Sequence, residues 1–236
     1  SPAAWVLGQK SAQALIARHL QDSGDYLRQI GLSVWGTATM RTGGDDIAQA
    51  MALIGARPTW DTASRRVTGF EILPVSVLDR PRVDVTLRVS GFFRDAFPNL
   101  IELFDAAVRA VAALSEESAE SNPIAGQVFD DKNEFIAAGM SPADAERRAT
   151  WRVFGSKPGA YGAGLQALID EHGWCTDTDF ARAYVAWGGF AYGTGTDGVG
   201  AHTDFERRLA SVEVVLHNQD NREHDLLDSD DYYQFE

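Results

Sequence analysis

The sequence predicts an α/β fold: a small, mostly parallel sheet in three layers, followed by an all-helical region. Three observations point there. Gly31 to Gly36 reads GLSVWG, a short apolar run bounded by glycines, which suits a buried strand. Behind it, Ile47, Ala50, Met51 and Ile54 repeat at helical spacing. Val83, Val85, Leu87 and Val89 then alternate with Asp84, Thr86, Arg88 and Ser90, the period-two pattern of a strand. Strand, helix and strand in that order favour a layered sheet.

The remaining elements follow in order. Thr42 is placed to N-cap the first helix, with Asp45 three positions on. Gly55 ends that helix and Pro58 blocks its return. Val67 to Val75 is β-branched and aromatic enough for a second strand before the one at 83–89. Pro98 fits a first helical turn, and Leu100, Phe104, Ala107, Val108 and Val111 form one face of the long helix behind it. Residues 1–114 therefore read as an α/β unit. Residues 115–141 lose periodicity and read as a connecting segment, and 142–236 read as helical. In that last region Ser141 and Asp144 make a capping box, a helix from Leu165 stops at Gly173, and Thr176 with Asp179 caps another. Phe205, Leu209, Val212 and Leu216 mark a fourth amphipathic helix. There is no internal repeat.

Composition narrows the class. The chain has 236 residues, 44% hydrophobic and 23% charged, ordinary globular usage for one large domain or two small ones. No apolar run approaches the ~18 residues of a membrane span. The single cysteine, Cys175, excludes a disulfide framework and a thiolate metal cluster, and fits a reducing compartment. The formal net charge is −13, which argues against nucleic acid as a partner. From His217 to Glu236 there are seven acidic residues and one arginine, an acidic tail. The chain opens Ser1-Pro2-Ala3-Ala4 with neither a methionine nor a signal-peptide pattern, so a piece of a longer protein is expected.

Several strings are candidates for chemistry. Gly193 to Gly198 matches G-x-G-x-x-G, but it follows a helical stretch, so a flexible loop is expected rather than a dinucleotide site. Gly43 and Gly44 open a helix, yet Asp45 and Asp46 would repel a phosphate there and instead complement the helix dipole. Gly155 to Gly164 (GSKPGAYGAG) lets backbone N–H groups approach a ligand, with Arg152 and Lys157 adding positive charge for a carboxylate. Ser90 to Pro98 (SGFFRDAFP) lies where a strand hands over to a helix, the usual ligand position in open α/β sheets. Arg94 there can clamp a carboxylate with two hydrogen bonds, and Asp95 either pairs with it or caps the helix. His217 and His224 share a neighbourhood with Asp220 and Glu223. Imidazoles with carboxylates suit a borderline divalent ion such as Co²⁺ or Zn²⁺, although a solvated surface fits the same spacing.

Together these strings resemble one family. Val34 to Ile47, Gly69 to Ile72, Arg80 to Thr86, Ser90 to Pro98, Phe154 to Gly162, His217 to Asp228 and Tyr232 to Glu236 are similar, in order, to the CobN-type large subunit of ATP-dependent cobaltochelatase. Magnesium chelatase H subunits share a looser version. The string HNQDNREHD from His217 and the YYQ from Tyr232 place the chain on the cobalt branch. The resemblance implies insertion of Co²⁺ into hydrogenobyrinic acid a,c-diamide, driven by Mg-ATP hydrolysis on two smaller AAA+ ATPase subunits, in the cytoplasm, for cobalamin biosynthesis. It implies no membrane partner, and it implies that the rest of a much longer polypeptide works with this segment. A histidine-glycine block, a glutamate and a Pro-Gly-Lys that the family carries upstream are missing here, so the segment is not expected to be active alone. Arg41, Arg94, Lys157 and Tyr161 become candidates for holding the macrocycle. Asp220, Glu223 and His224 become candidates for proton transfer, and His217 and His224 for the metal. A magnesium chelatase H-type segment and a non-catalytic docking module for the ATPase subunits remain alternatives.

Overall fold

The computed structural model describes residues 1–220. Its described elements are α1 (Pro2–Ser23), β1 (Gln29–Val34), α2 (Gly36–Thr42), α3 (Asp45–Ile54), β2 (Ala56–Trp60), β3 (Val67–Ile72), α4 (Val75–Leu78), β4 (Asp84–Val89), α5 (Gly91–Ala96) and α6 (Pro98–Ala112). They continue with α7 (Pro123–Ala137), α8 (Pro142–Ala149), β5 (Val153–Gly155), α9 (Gln166–Asp170), α10 (Asp177–Gly188), β6 (Phe190–Gly193), β7 (Thr196–Gly200), α11 (His202–Ser211) and β8 (Val214–Leu216).

The main sheet runs β7-β6-β5-β4-β1-β8. β8, β1, β4 and β5 are parallel, and β6 and β7 extend them antiparallel. Val34 lies opposite Val89, so β1 and β4 end level. β2 and β3 form a separate antiparallel pair.

The expected mixed α/β fold with a mostly parallel sheet is present. The region after residue 142 is not all helical, however: it supplies β5, β6, β7 and β8. Three of these strands are only three or four residues long, too short for periodicity to register. Val212 and Leu216, expected on a helix, lie beyond it, because Val212 turns extended at φ −71° and ψ 136° and the chain enters β8. The expected connecting segment contains α7, capped by the Asn122 side chain on the Ala125 N–H. The sheet thus draws strands from both sides of that segment.

One face of the sheet buries Ile30, Leu32, Val34, Val85, Leu87 and Val89 with Leu53 and Ile54 of α3 and Phe104 and Val108 of α6. The other face is polar yet still buried. All six residues of β4 are buried, because its charged positions are paired within the fold. Asp84 takes two hydrogen bonds from Arg152 (2.7 and 3.0 Å) and lies 2.9 Å from Arg208 Nη1 on α11. Burial opposes the Asp84 charge, but the two guanidinium groups outweigh it and hold its carboxyl below the usual range. Arg208 also donates to Thr86, and Arg88 lies over the Tyr184 ring of α10. Helices therefore cover both faces, as the three-layer expectation required.

Candidate functional site

In parallel α/β sheets the loops leaving the carboxyl ends of the strands form the ligand face, because each strand there hands over to a helix across the sheet edge. Here those loops are residues 217–220 after β8, 35–44 after β1, 90–97 after β4 and 156–164 after β5. The sequence strings singled out on chemical grounds are these same loops.

Ser90 sets the centre. Its buried hydroxyl accepts from the Phe93 N–H, capping α5, and from the Gly36 N–H at the start of α2. Gly36 is required at that crossing: a Cβ on it would stand 2.5 Å from Phe92 Cδ1 and 2.8 Å from the Phe93 nitrogen. The two loops are thereby locked side by side.

Arg94 sets the next wall. Its Nε and Nη2 donate to the two oxygens of Asp95 (2.7 and 3.0 Å). Its Nη1 faces the carbonyls of Ser156, Lys157 and Ala160 and the Ser156 hydroxyl at 2.9–3.1 Å. Asp95 in turn accepts from the Tyr161 hydroxyl at 2.6 Å. Arg94 and Tyr161 together hold the Asp95 carboxyl below its ordinary range, Arg94 being the larger influence. Asp95 raises the Tyr161 hydroxyl. The Tyr161 ring lies against Gly91, where a Cβ would come within 2.5 Å of it. Beyond Tyr161 a groove of about 590 Å³ is lined by Gly162, Gly164, Gln166 and Trp187. The indole N–H of Trp187 donates to the Tyr161 carbonyl, and its ring sits on Gly164.

On the other side Arg41 makes a two-pronged pair with Asp220 (2.6 and 3.0 Å), which holds the Asp220 carboxyl low. His217 meets Trp35 edge-on at 5.5 Å. Partial burial of its ring lowers its pKa, and Asp220 opposes the shift. The Asn218 side-chain amide donates to Asp46 (2.6 Å) and to Gln49 (2.7 Å). Asp46 is 2% exposed, and burial pushes its carboxyl up to about 7. Asn218 pulls it down, while Asp45 and Asp220 push it further up.

A family model described as CobN/Magnesium Chelatase matches residues 1–236. The chain belongs to this family. It is 64% identical to the aerobic cobaltochelatase subunit CobN of Pseudomonas aeruginosa over 236 residues, all of this chain and 19% of that protein. It is 34% identical to the magnesium-chelatase H subunit of Chlorobaculum parvum over 234 residues, 99% of this chain and 18% of that protein. Among solved structures it matches the catalytic subunit of cobaltochelatase from Mycobacterium tuberculosis, with a TM-score of 0.92 and 49% identity, covering all of this chain and 19% of that one. The chain thus spans about a fifth of the length of these relatives.

In this member of the family, three predicted site residues change character and a fourth, Lys157, keeps the one expected of it. Arg94 is not a free carboxylate clamp; it is buried and braces the loop after β5. Arg41 is committed to Asp220. Tyr161 spends its hydroxyl on Asp95 and offers its exposed ring. Lys157 is exposed, with only its backbone carbonyl used by Arg94. His217 and Asp220 stand at the face, whereas Glu223 and His224 lie outside the described residues. Among the described residues no group of three His, Cys, Asp or Glu side chains could hold a metal ion, so His217 gains no metal partner set there. The G-x-G-x-x-G string is a hairpin: Gly195 turns between β6 and β7 at φ +70°. Asp46, Asn218 and Trp187 were missed. Asp46 looked like a dipole-complementing surface residue, and sequence spacing carries no sign that β8 lies over it.

Proposed function

We propose that this chain is a segment of the large subunit of an ATP-dependent cobaltochelatase, and that the carboxyl-end face of its parallel strands contacts the macrocycle during Co²⁺ insertion. The observation that carries the reading is the convergence of the four loops. Each holds one of the strings that resemble the family, and they meet on one edge of the sheet. The 64% identity to a cobaltochelatase subunit, against 34% to a magnesium-chelatase subunit, supports cobalt over magnesium.

The substrate in this reading is hydrogenobyrinic acid a,c-diamide, a macrocycle with peripheral carboxylates. Lys157 supplies a cation for one of them, and the Tyr161 ring, with Trp187 beside it, supplies a flat apolar surface for the ring system. Arg94 and Asp95 act through that loop by fixing its carbonyls and the Tyr161 hydroxyl. Insertion also requires loss of protons from the pyrrole nitrogens and of water from Co²⁺. Asp220 and His217 stand at the face as acceptors, with Glu223 and His224 following in sequence. AAA+ ATPase subunits carrying Mg-ATP and the rest of the polypeptide complete the machine, in the cytoplasm.

Fluorescence titration of the chain with hydrogenobyrinic acid a,c-diamide, with and without Co²⁺, tests this. Trp187 lies in the groove and reports on it directly. The expected result is saturable quenching that weakens in Lys157→Ala. A chain with native circular dichroism and no quenching would move the reading to a docking module for the ATPase subunits.

A further inference from the structure

We propose that Asp46 is a positioning residue: through Asn218 it seats residues 217–220 against the start of α3, and so sets where His217 and Asp220 stand on the face. This deepens the proposed function and rests on it.

The argument starts from the strand that delivers these residues. β8 is three residues long and, among the described residues, lies at the sheet edge and pairs with β1 alone. So short an edge strand fixes its own exit poorly, and the chain beyond Leu216 needs pins. Two are visible. Arg41 with Asp220 is one, but the Arg41 side chain is 55% exposed, and exposed pairs hold weakly. The other is Asn218, whose side-chain nitrogen has two N–H groups and two acceptors, Asp46 Oδ1 and Gln49 Oε1, both on buried residues of α3. Asn218 presents its amide nitrogen to both, and the Asp46 and Gln49 oxygens accept. The Asp46 side chain is buried, so the contact is made where water does not compete.

Polarity makes this testable by exchange. Asn218→Asp sets a second carboxyl against Asp46; assayed at about pH 8.5, above the Asp46 value of about 7, the two charges repel and should unseat the segment. Asp46→Asn keeps an acceptor oxygen for Asn218 and should hold it. The double exchange, Asp46→Asn with Asn218→Asp, restores a donor–acceptor pair with the roles reversed. The experiment uses the full-length large subunit assembled with its ATPase partners, and follows cobalt insertion alongside macrocycle affinity. Asn218→Asp is expected to lower kcat about tenfold, as small misplacements of reacting groups do, with KM for the macrocycle nearly unchanged. Asp46→Asn and the double exchange are expected to retain most of kcat. In parallel, the His217 imidazole resonances of the chain should move in Asn218→Asp and return in the double exchange. Wild-type kcat in Asn218→Asp, or a double exchange as slow as Asn218→Asp alone, overturns the proposal. Failure of the wild-type protein to bind macrocycle overturns the functional reading instead, and the His217 resonances still decide the seating.

Discussion

Replacing Asp46 by asparagine should make the stability of the chain less sensitive to pH, and the structure gives the sign and the size. The folded carboxyl sits at about 7 against an ordinary value of 3.8, mainly because it is buried. The negative charges of Asp45, on its own helix, and of Asp220, which is paired with Arg41 across the face, add to the shift, and the Asn218 amide opposes it. A raised carboxyl means that the folded state holds the proton more tightly than the unfolded state. Between about pH 4 and about pH 7 the folded chain therefore carries more protons, and its stability falls as the pH rises. A displacement of about three pKa units corresponds to about 4 kcal/mol at most. Relaxation and water entry reduce this, so about 2–4 kcal/mol is expected. Asp46→Asn removes the titration but keeps the bond to Asn218. Its new N–H₂ group costs about 1–3 kcal/mol if unpaired, equally at every pH. The assay is urea unfolding of both proteins at about pH 4.5 and about pH 8, with the stability difference compared between the two conditions. The other carboxylates cancel in that comparison. The Asp46→Asn variant should gain about 2–4 kcal/mol relative to the wild-type chain on going to the higher pH. An unchanged difference would refute the buried, uncompensated charge on which the reasoning depends.

Two further substitutions probe the frame of the site. Gly91→Ala puts a Cβ 2.5 Å from Tyr161 Cδ1 and 2.8 Å from the Ala160 carbonyl. The loop after β5 must shift, so a loss of about 1–3 kcal/mol by urea unfolding and weaker macrocycle quenching are expected. Asp84→Ala leaves Arg152 and Arg208 buried without their shared carboxylate. A loss of about 3–5 kcal/mol is expected, read as a large fall in the unfolding midpoint.

The first half of the fold was legible because its elements are long and patterned. The helix behind Ile47 and the strand from Val83 came out within a few residues. The helix of Pro98 came out as well, since Phe104, Val108 and Val111 face one core. α1 was not read, because its buried face is mostly small: Ala4, Gly8 and Ala12 beside Trp5 and Ile16. The period-two alternation of β4 was legible, but not that Asp84 and Arg88 lie in a second buried layer. No local pattern announces partners 68 residues away for Asp84 in Arg152, or 122 residues away for Thr86 in Arg208. At the site, the loops were legible as glycine-rich strand exits. The Arg94–Asp95 pair was legible as one of two readings, but the carbonyls of Lys157 and Ala160 that Arg94 also braces, and the Asp220 that takes Arg41, are brought near only by the fold.

Those partners divide the strings that resemble the family into two kinds. Arg80, Arg82 and Asp84 belong to the first. Arg80 and Arg82 donate to the carbonyls of Ala52, Leu53 and Ile54 at the end of α3, and Arg82 also pairs with Glu117. These residues tie layers together away from the strand-end face. Arg94, Asp95 and Tyr161 belong to the second, since they shape a loop at the sheet edge. The face that results carries Asp220, Asp95 and the buried Asp46, with Arg41 and Arg94 already paired. Of the cationic site candidates, Lys157 alone has no side-chain partner among the described residues. A face so balanced exerts little net pull on a polyanionic ring. In the proposed reaction most cations for the macrocycle would therefore come from elsewhere in the large subunit. Raising ionic strength should then weaken macrocycle binding to the full-length protein more steeply than binding to this chain.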